Sequence, residues 1–123
     1  MPSRDPMLRI HDMLESIRGI EKAVSRKSYR DYERSWLLRS AVERGIEVIS
    51  EASRHLSRDL KSQHKAVRWK DIAGIGNILR HEYQRVDSRI IWKALKDDLP
   101  PLKEALLVMK ASLTNPLPRN DKK

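Results

Sequence analysis

The sequence predicts an all-α protein, an up-down bundle of four to five helices. Three observations carry this prediction. Apolar residues recur at steps of three and four along nearly the whole chain, no segment sustains the period-two alternation of a half-buried strand, and neither an Asn-Gly nor an Asp-Gly hairpin turn occurs. A chain of 123 residues is long enough to bury one real core but not two. Residues 1–114 are therefore read as one helical domain, and 115–123, rich in proline and basic residues, as a disordered tail.

The first helix is expected from Met7 to Val24, where Ile10, Met13, Leu14, Ile17, Ile20 and Val24 form one stripe. After a short loop, Ser28 stands three residues before Asp31, a spacing that lets hydroxyl and carboxylate cap a helix start reciprocally. A long second helix, Tyr29 to Leu60, follows from the seam Leu38, Val42, Gly45, Ile49, Ala52, Leu56 and Leu60. Small Gly45 and Ala52 invite a close neighbour, and Leu37, Ala41 and Val48 widen the stripe, which favours a bundle over an extended coiled coil.

Residues 61–68 are polar and basic and read as a loop, with a third helix from Trp69 to Tyr83 beyond it. Asp87 or Ser88 caps a fourth helix carrying Ile90, Ile91, Trp92, Leu95 and Leu99, which Pro100 and Pro101 end. A last helix with Leu102, Leu106, Met109 and Leu113 packs back. Trp36, Trp69 and Trp92 have faces that can stack on bases, but each lies beside apolar helix positions and is assigned to the core.

Composition narrows the function. Twenty-six Lys and Arg against seventeen Asp and Glu leave a formal charge of +9, which favours polyanionic partners such as RNA. With no cysteine there is neither a disulfide nor a thiolate metal site, as suits a reducing cytoplasm. The four histidines include no i,i+4 pair and no His-Glu-x-x-His, so no protein metal site or cofactor is expected. No Gly-x-Ser-x-Gly elbow occurs, and no apolar run reaches the roughly 20 residues of a membrane span. The chain reads as soluble and cytoplasmic.

The stretch Gly74-Ile75-Gly76-Asn77-Ile78-Leu79-Arg80-His81 concentrates the remaining chemistry. At about 100° per residue, Ile75, Leu79 and Tyr83 fall within about 60° of Ile72 and define the core side of the third helix. His81 falls near the opposite side, with Asn77 beside it, Gly74 close to the same line and Arg80 at an edge. Three readings stand at this level: a catalytic imidazole, a solvated surface residue, and a hydrogen-bonding group at a subunit interface. Two glycines in one turn each cost a helix about 1 kcal/mol relative to alanine, so backbone or ligand is expected to come close there.

Three segments in order, VERGIEVISEASRHLS, VRWKDIAGIGNILRHEYQRVD and IIWKALKDDLPPLKEAL, make the chain resemble the HepT-like members of the HEPN superfamily over Met7 to Leu113. That resemblance implies a helical bundle that dimerises through the third-helix face. It also implies a metal-independent ribonuclease toxin with RNA as substrate, and an antitoxin partner that is a nucleotidyltransferase of the MntA type. His81 matches the motif histidine, Asn77 the asparagine that orients it, and Arg80 is the nearest arginine. His81-Glu82-Tyr83 matches the element whose tyrosine, here Tyr83, accepts AMP from the partner. An imidazole with pKa near about 6.5 can move the proton of a ribose hydroxyl while a guanidinium stabilises charge developing on phosphorus.

The departure is at residue 76. Family members read Arg-Asn-x-x-x-His, and here Gly76 stands in the arginine's place. The alternative function is accordingly a catalytically inactive interaction module that binds a nucleotidyltransferase. Sequence-reading DNA binding is weaker, because no helix-turn-helix spacing stands out.

Overall fold

Most helix starts in the structure, a computed structural model describing residues 5–82 and 86–114, have a local cause in the sequence. Asp5 accepts from the Met7 amide at 3.0 Å and Pro6 occupies the first turn of α1, Pro6–Val24. At α2, Tyr29–Arg34, the expected capping box is present: Ser28 Oγ accepts from the Asp31 amide at 3.1 Å and the Asp31 carboxylate from the Ser28 amide at 2.9 Å. Asp87 caps α6, Ser88–Asp97, by accepting from the Arg89 amide at 2.9 Å.

The long second helix is divided into three. Ser35 adopts an extended conformation and turns its hydroxyl onto the Leu38 amide at 3.0 Å, ending α2 and starting α3, Trp36–Arg54. Ser57 does the same for the Leu60 amide at 3.1 Å, setting off the short α4, Arg58–Ser62. Serine competes with the helix for its own backbone groups, so apolar spacing continues straight through both breaks. Among the described residues there are seven helices and no strand, the remaining two being α5, Trp69–Glu82, and α7, Leu99–Thr114. Pro100 and Pro101 lie in the first turn of α7, where a missing N–H costs no helical bond.

Helix α3 is the central element, packed against α1 on one side and α5 on the other, while α7 closes over α1 and α6. The core draws on Ile10, Met13, Leu14 and Ile17 of α1, Val42 and Ile49 of α3, Ile72 and Leu79 of α5, and Leu102, Leu106 and Met109 of α7. Gly45 admits α1 as expected: a Cβ there would lie 2.8 Å from Ile20 Cδ1.

Two core assignments are corrected. Trp36 is 71 % exposed and Leu37 72 %, because the break at Ser35 turns the first turn of α3 outward and leaves Leu37 only at the rim of an open groove with Ala23 of α1. Trp69 and Trp92 do pack on the core. The Trp69 indole N–H donates to the carbonyls of Lys61 and His64 at 3.1 and 3.2 Å, tying down the stretch between α4 and α5, and Val67 within it is buried.

Candidate functional site

Helix α5 carries the candidate residues, and its buried face decides where they point. Ile72, Gly76 and Leu79 are buried and Ile75 packs on the core, so Asn77, Arg80 and His81 are left exposed. Lys70 and Ile78 are exposed on the same outer side, and Gly74 is half-buried there. The imidazole of His81 therefore stands outside its own chain's core. Tyr83 and the tail from Asn115 onward lie outside the described residues.

The two glycines of this helix have different surroundings. Gly74 is open, with nothing within 4 Å of where its Cβ would be. Gly76 faces α3, and a Cβ there would lie 2.0 Å from Ser50 Oγ and 2.3 Å from Ser50 Cβ. The expected close approach is thus made at Gly76, by this chain's own Ser50. Residue 76 does not share the outward face of His81, and a side chain there has no room while Ser50 stays in place.

On the α3 side, the buried Ser50 hydroxyl donates to the Ala73 carbonyl at 3.0 Å, and Arg54, one turn later, donates to the same oxygen from Nη2 at 3.3 Å. Arg80 reaches across from α5 to Glu51, with Nη1 3.8 Å from Oε1, while the other carboxylate oxygen lies 3.1 Å from His55 Nε2. That hydrogen bond with His55 is the main reason the Glu51 carboxyl titrates below its ordinary range; Arg80 and Arg54 add to it electrostatically, against some desolvation.

Two open grooves flank the exposed face of α5. One, between α1, α3 and α5, is lined by Arg9, Arg44 and Arg80 facing Asp12, Glu47 and Glu51. The other, between α5 and α6, is apolar at its middle, with Gly74, Ile78, Ile90 and Ala94 between Lys70 and Lys93. Asp98 is buried at the end of this second groove, 3.6 Å from Arg68 Nε. Desolvation pushes its carboxyl up, and the charge of Arg68 only partly offsets that.

The structure brings Asn77, Arg80 and His81 to one exposed stretch of helix and turns Arg80 toward a carboxylate on α3. Glu51, Arg54 and Ser50 were not singled out in the sequence. The one signal pointing to them was the glycine pair in α5, which announces a close neighbour without saying which residue it is. Among the described residues no group of three or more His, Asp or Glu is placed to hold a metal ion, and no helix is long and apolar enough to cross a membrane.

Comparison with known proteins agrees with this architecture. The family described as "Ribonuclease HepT-like" matches residues 13–109. The protein named "Putative RNase MJ1380" of Methanocaldococcus jannaschii is 32 % identical over 109 residues, covering 89 % of this chain and 100 % of its own length. "Probable ribonuclease HepT" of Thermococcus cleftensis is 34 % identical over 94 residues, covering 76 % of this chain and 86 % of its own. "Gamma-glutamylcyclotransferase and putative RNase MJ0434" of M. jannaschii is 35 % identical over 104 residues, which make up 47 % of that longer protein. No solved structure matches. With an all-α fold, a match across nearly the whole helical region and relatives above 30 % identity covered over most of their own length, this chain belongs to the HepT-like ribonuclease family of the HEPN superfamily.

Proposed function

We propose that the protein is an RNA-cleaving toxin of a toxin–antitoxin pair, active as a homodimer and silenced by a nucleotidyltransferase antitoxin of the MntA type at or near Tyr83. The observation that carries this reading is the exposure of His81 and Asn77 on the outer face of α5, one turn apart, in a family of ribonucleases. His81 accepts the proton of a ribose 2′-hydroxyl as its oxygen attacks the adjacent phosphorus, and the 5′-oxygen leaves with a proton returned to it. Asn77 orients the substrate or the imidazole, and a guanidinium, with Arg80 nearest in sequence, stabilises the charge developing on phosphorus. This chemistry runs without a metal ion, so chelator leaves cleavage unchanged. AMP attached near His81 would add a bulky anionic group that repels RNA.

The test is RNA integrity and growth on expression without the partner, backed by cleavage of a single-stranded RNA by purified protein. His81→Ala is expected to lower the rate by about 10²–10⁴-fold. If the native chain and His81→Ala are equally harmless and equally inert, the ribonuclease reading is lost.

One observation favours a second reading. Gly76 stands where the family has its motif arginine and is packed against Ser50, so an arginine cannot simply be restored there. On this reading the protein is an inactive HEPN module that binds a nucleotidyltransferase through the α5 face. It is supported if the protein forms a stable complex with the partner while RNA stays intact.

A further inference from the structure

The place of the missing arginine is not empty. The position a Cβ of residue 76 would take is filled by Ser50 Oγ, so α3 lies as close to α5 as a glycine permits. One turn along α3 from Ser50 comes Arg54, which is exposed and is the last residue of that helix. Its Nη2 donates to the Ala73 carbonyl at 3.3 Å. In an α-helix that carbonyl is also the acceptor for the amide four residues on, which is Asn77. The Arg54 guanidinium, the Ser50 hydroxyl and the Asn77 backbone N–H therefore converge on one oxygen, which sets Arg54 at the level of Gly76 along α5 and beside the Asn77 backbone.

The other nearby arginine is differently placed. Arg80 shares its charge with Glu51 at 3.8 Å, and Glu51 is also engaged by His55. The Arg54 charge also acts on Glu51, but at longer range: among the described residues no carboxylate lies within ion-pair distance of Arg54, and its hydrogen bond goes to a neutral carbonyl. A carbonyl is a weak hold on a guanidinium compared with a phosphate, which takes two parallel N–H bonds and a full negative charge. Arg58 and Lys61 add positive charge on the same side, close enough for both arginines to depress the Lys61 ammonium's titration after desolvation.

We propose that Arg54, delivered by α3, is the phosphate-binding guanidinium of the α5 site, standing in for the arginine that the family motif carries at residue 76. Loss of the motif arginine and its replacement from a neighbouring helix are then one structural change: glycine at 76 admits Ser50, and the same approach lays Arg54 along α5. One helical turn, about 5.4 Å, separates Asn77 from His81, so a phosphodiester held at Arg54 and Asn77 presents its neighbouring ribose to the imidazole. This assignment rests on the ribonuclease reading for its catalytic meaning, but the binding step is testable without turnover.

The probe is a 2′-O-methyl oligoribonucleotide, which lacks the attacking hydroxyl and is not cleaved. Its affinity is measured by fluorescence anisotropy across a salt series, and the His81 ring resonances are followed by NMR on the same samples. Arg54→Ala and Arg54→Gln are each expected to weaken binding about tenfold, to lower the salt slope by about 0.7, and to abolish the oligonucleotide-induced shift of the His81 ring. Arg54→Lys keeps the charge, folds if the alanine variant does not, and recovers part of the affinity but not the bidentate geometry. Arg18→Ala, on α1, is the control for loss of one positive charge and leaves the His81 shift intact.

If Arg54→Gln binds the probe and shifts His81 as native protein does, or if no variant and not even native protein binds it, the assignment is overturned. Cleavage of ordinary RNA is assayed in parallel. Native protein that fails to cleave, while the Arg54 effects on the probe persist, sinks the ribonuclease reading and leaves Arg54 as a phosphate site. Native cleavage that Arg54→Gln does not slow overturns the assignment while the ribonuclease reading survives.

Discussion

Ser50 fills the space beside Gly76 so closely that residue 76 cannot gain a side chain while Ser50 stays in place. In Gly76→Ala the new methyl would overlap both Oγ and Cβ of Ser50, and a rotamer change moves only the first of these. The helices must separate. Overpacking of this kind costs about 1–3 kcal/mol, and the helix propensity gained on replacing glycine returns about 1 kcal/mol at most. Chemical denaturation should therefore show Gly76→Ala destabilised, and Ser50→Gly in the same chain should recover much of the loss. Additive penalties in the double variant would contradict the contact. Asp98 is a second residue whose surroundings set a testable sign. Its folded-state pKa is raised, so its charge opposes folding at neutral pH, and this cost disappears as pH falls through the folded-state value. Arg68 keeps its pair with Asp71 when Asp98 is neutralised, and Asp97 and Lys93 act on Asp98 from the same helix. Asp98→Asn is accordingly expected to raise the melting temperature at pH 7, with the difference shrinking as the solution is acidified. A melting temperature at pH 7 that falls would show that the pairing with Arg68 outweighs desolvation.

At the level of elements, the serines at the breaks decide more than the apolar stripe does. Ser35 alone separates α2 from α3, and its hydroxyl satisfies the Leu38 amide that the kink would otherwise orphan. Ser35→Ala should cost about 1 kcal/mol, or about 4 °C in melting temperature for a chain of this size, without changing helix content. An unchanged melting temperature would mean that water serves the Leu38 amide equally well. The apolar periodicity made α1 and the core faces of α3, α5 and α7 legible from sequence, because burial selects the same residue types whether or not the helix is interrupted. It could not show the two interruptions, since a serine in a helical pattern reads alike as a solvated residue and as a cap. Trp36 and Leu37 went to the wrong side for that reason: their apolar character is real, but the kink beside them removes the surface they would have covered.

For the whole molecule, the proposed homodimer would use the exposed face of α5 and the groove beside it. Ile78 is 45 % exposed and Ile90 55 %, and the two flank a strip floored by Gly74 and Ala94 with no chain of its own over it. A two-fold contact here would bury apolar surface and bring two His81 imidazoles and two sets of basic side chains to one cleft. Sedimentation analysis is expected to give a dimer for the native chain and a monomer for Ile78→Asp, whose melting temperature should change little because the side chain lies outside the core. A native monomer at micromolar concentration would remove the shared cleft from the proposed mechanism.

The sequence by itself determined the helical class, the core faces, the cap at Ser28 and the exposure of position 81, since each depends on spacing along one helix and on burial that the neighbours merely complete. It also placed glycine at 76, where the family resemblance implies arginine. Only the tertiary structure decided what packs against that glycine. Which side chain fills the space beside a glycine depends on how α3 crosses α5, and residues 50 and 54 are brought to residue 73 by packing that no local pattern encodes.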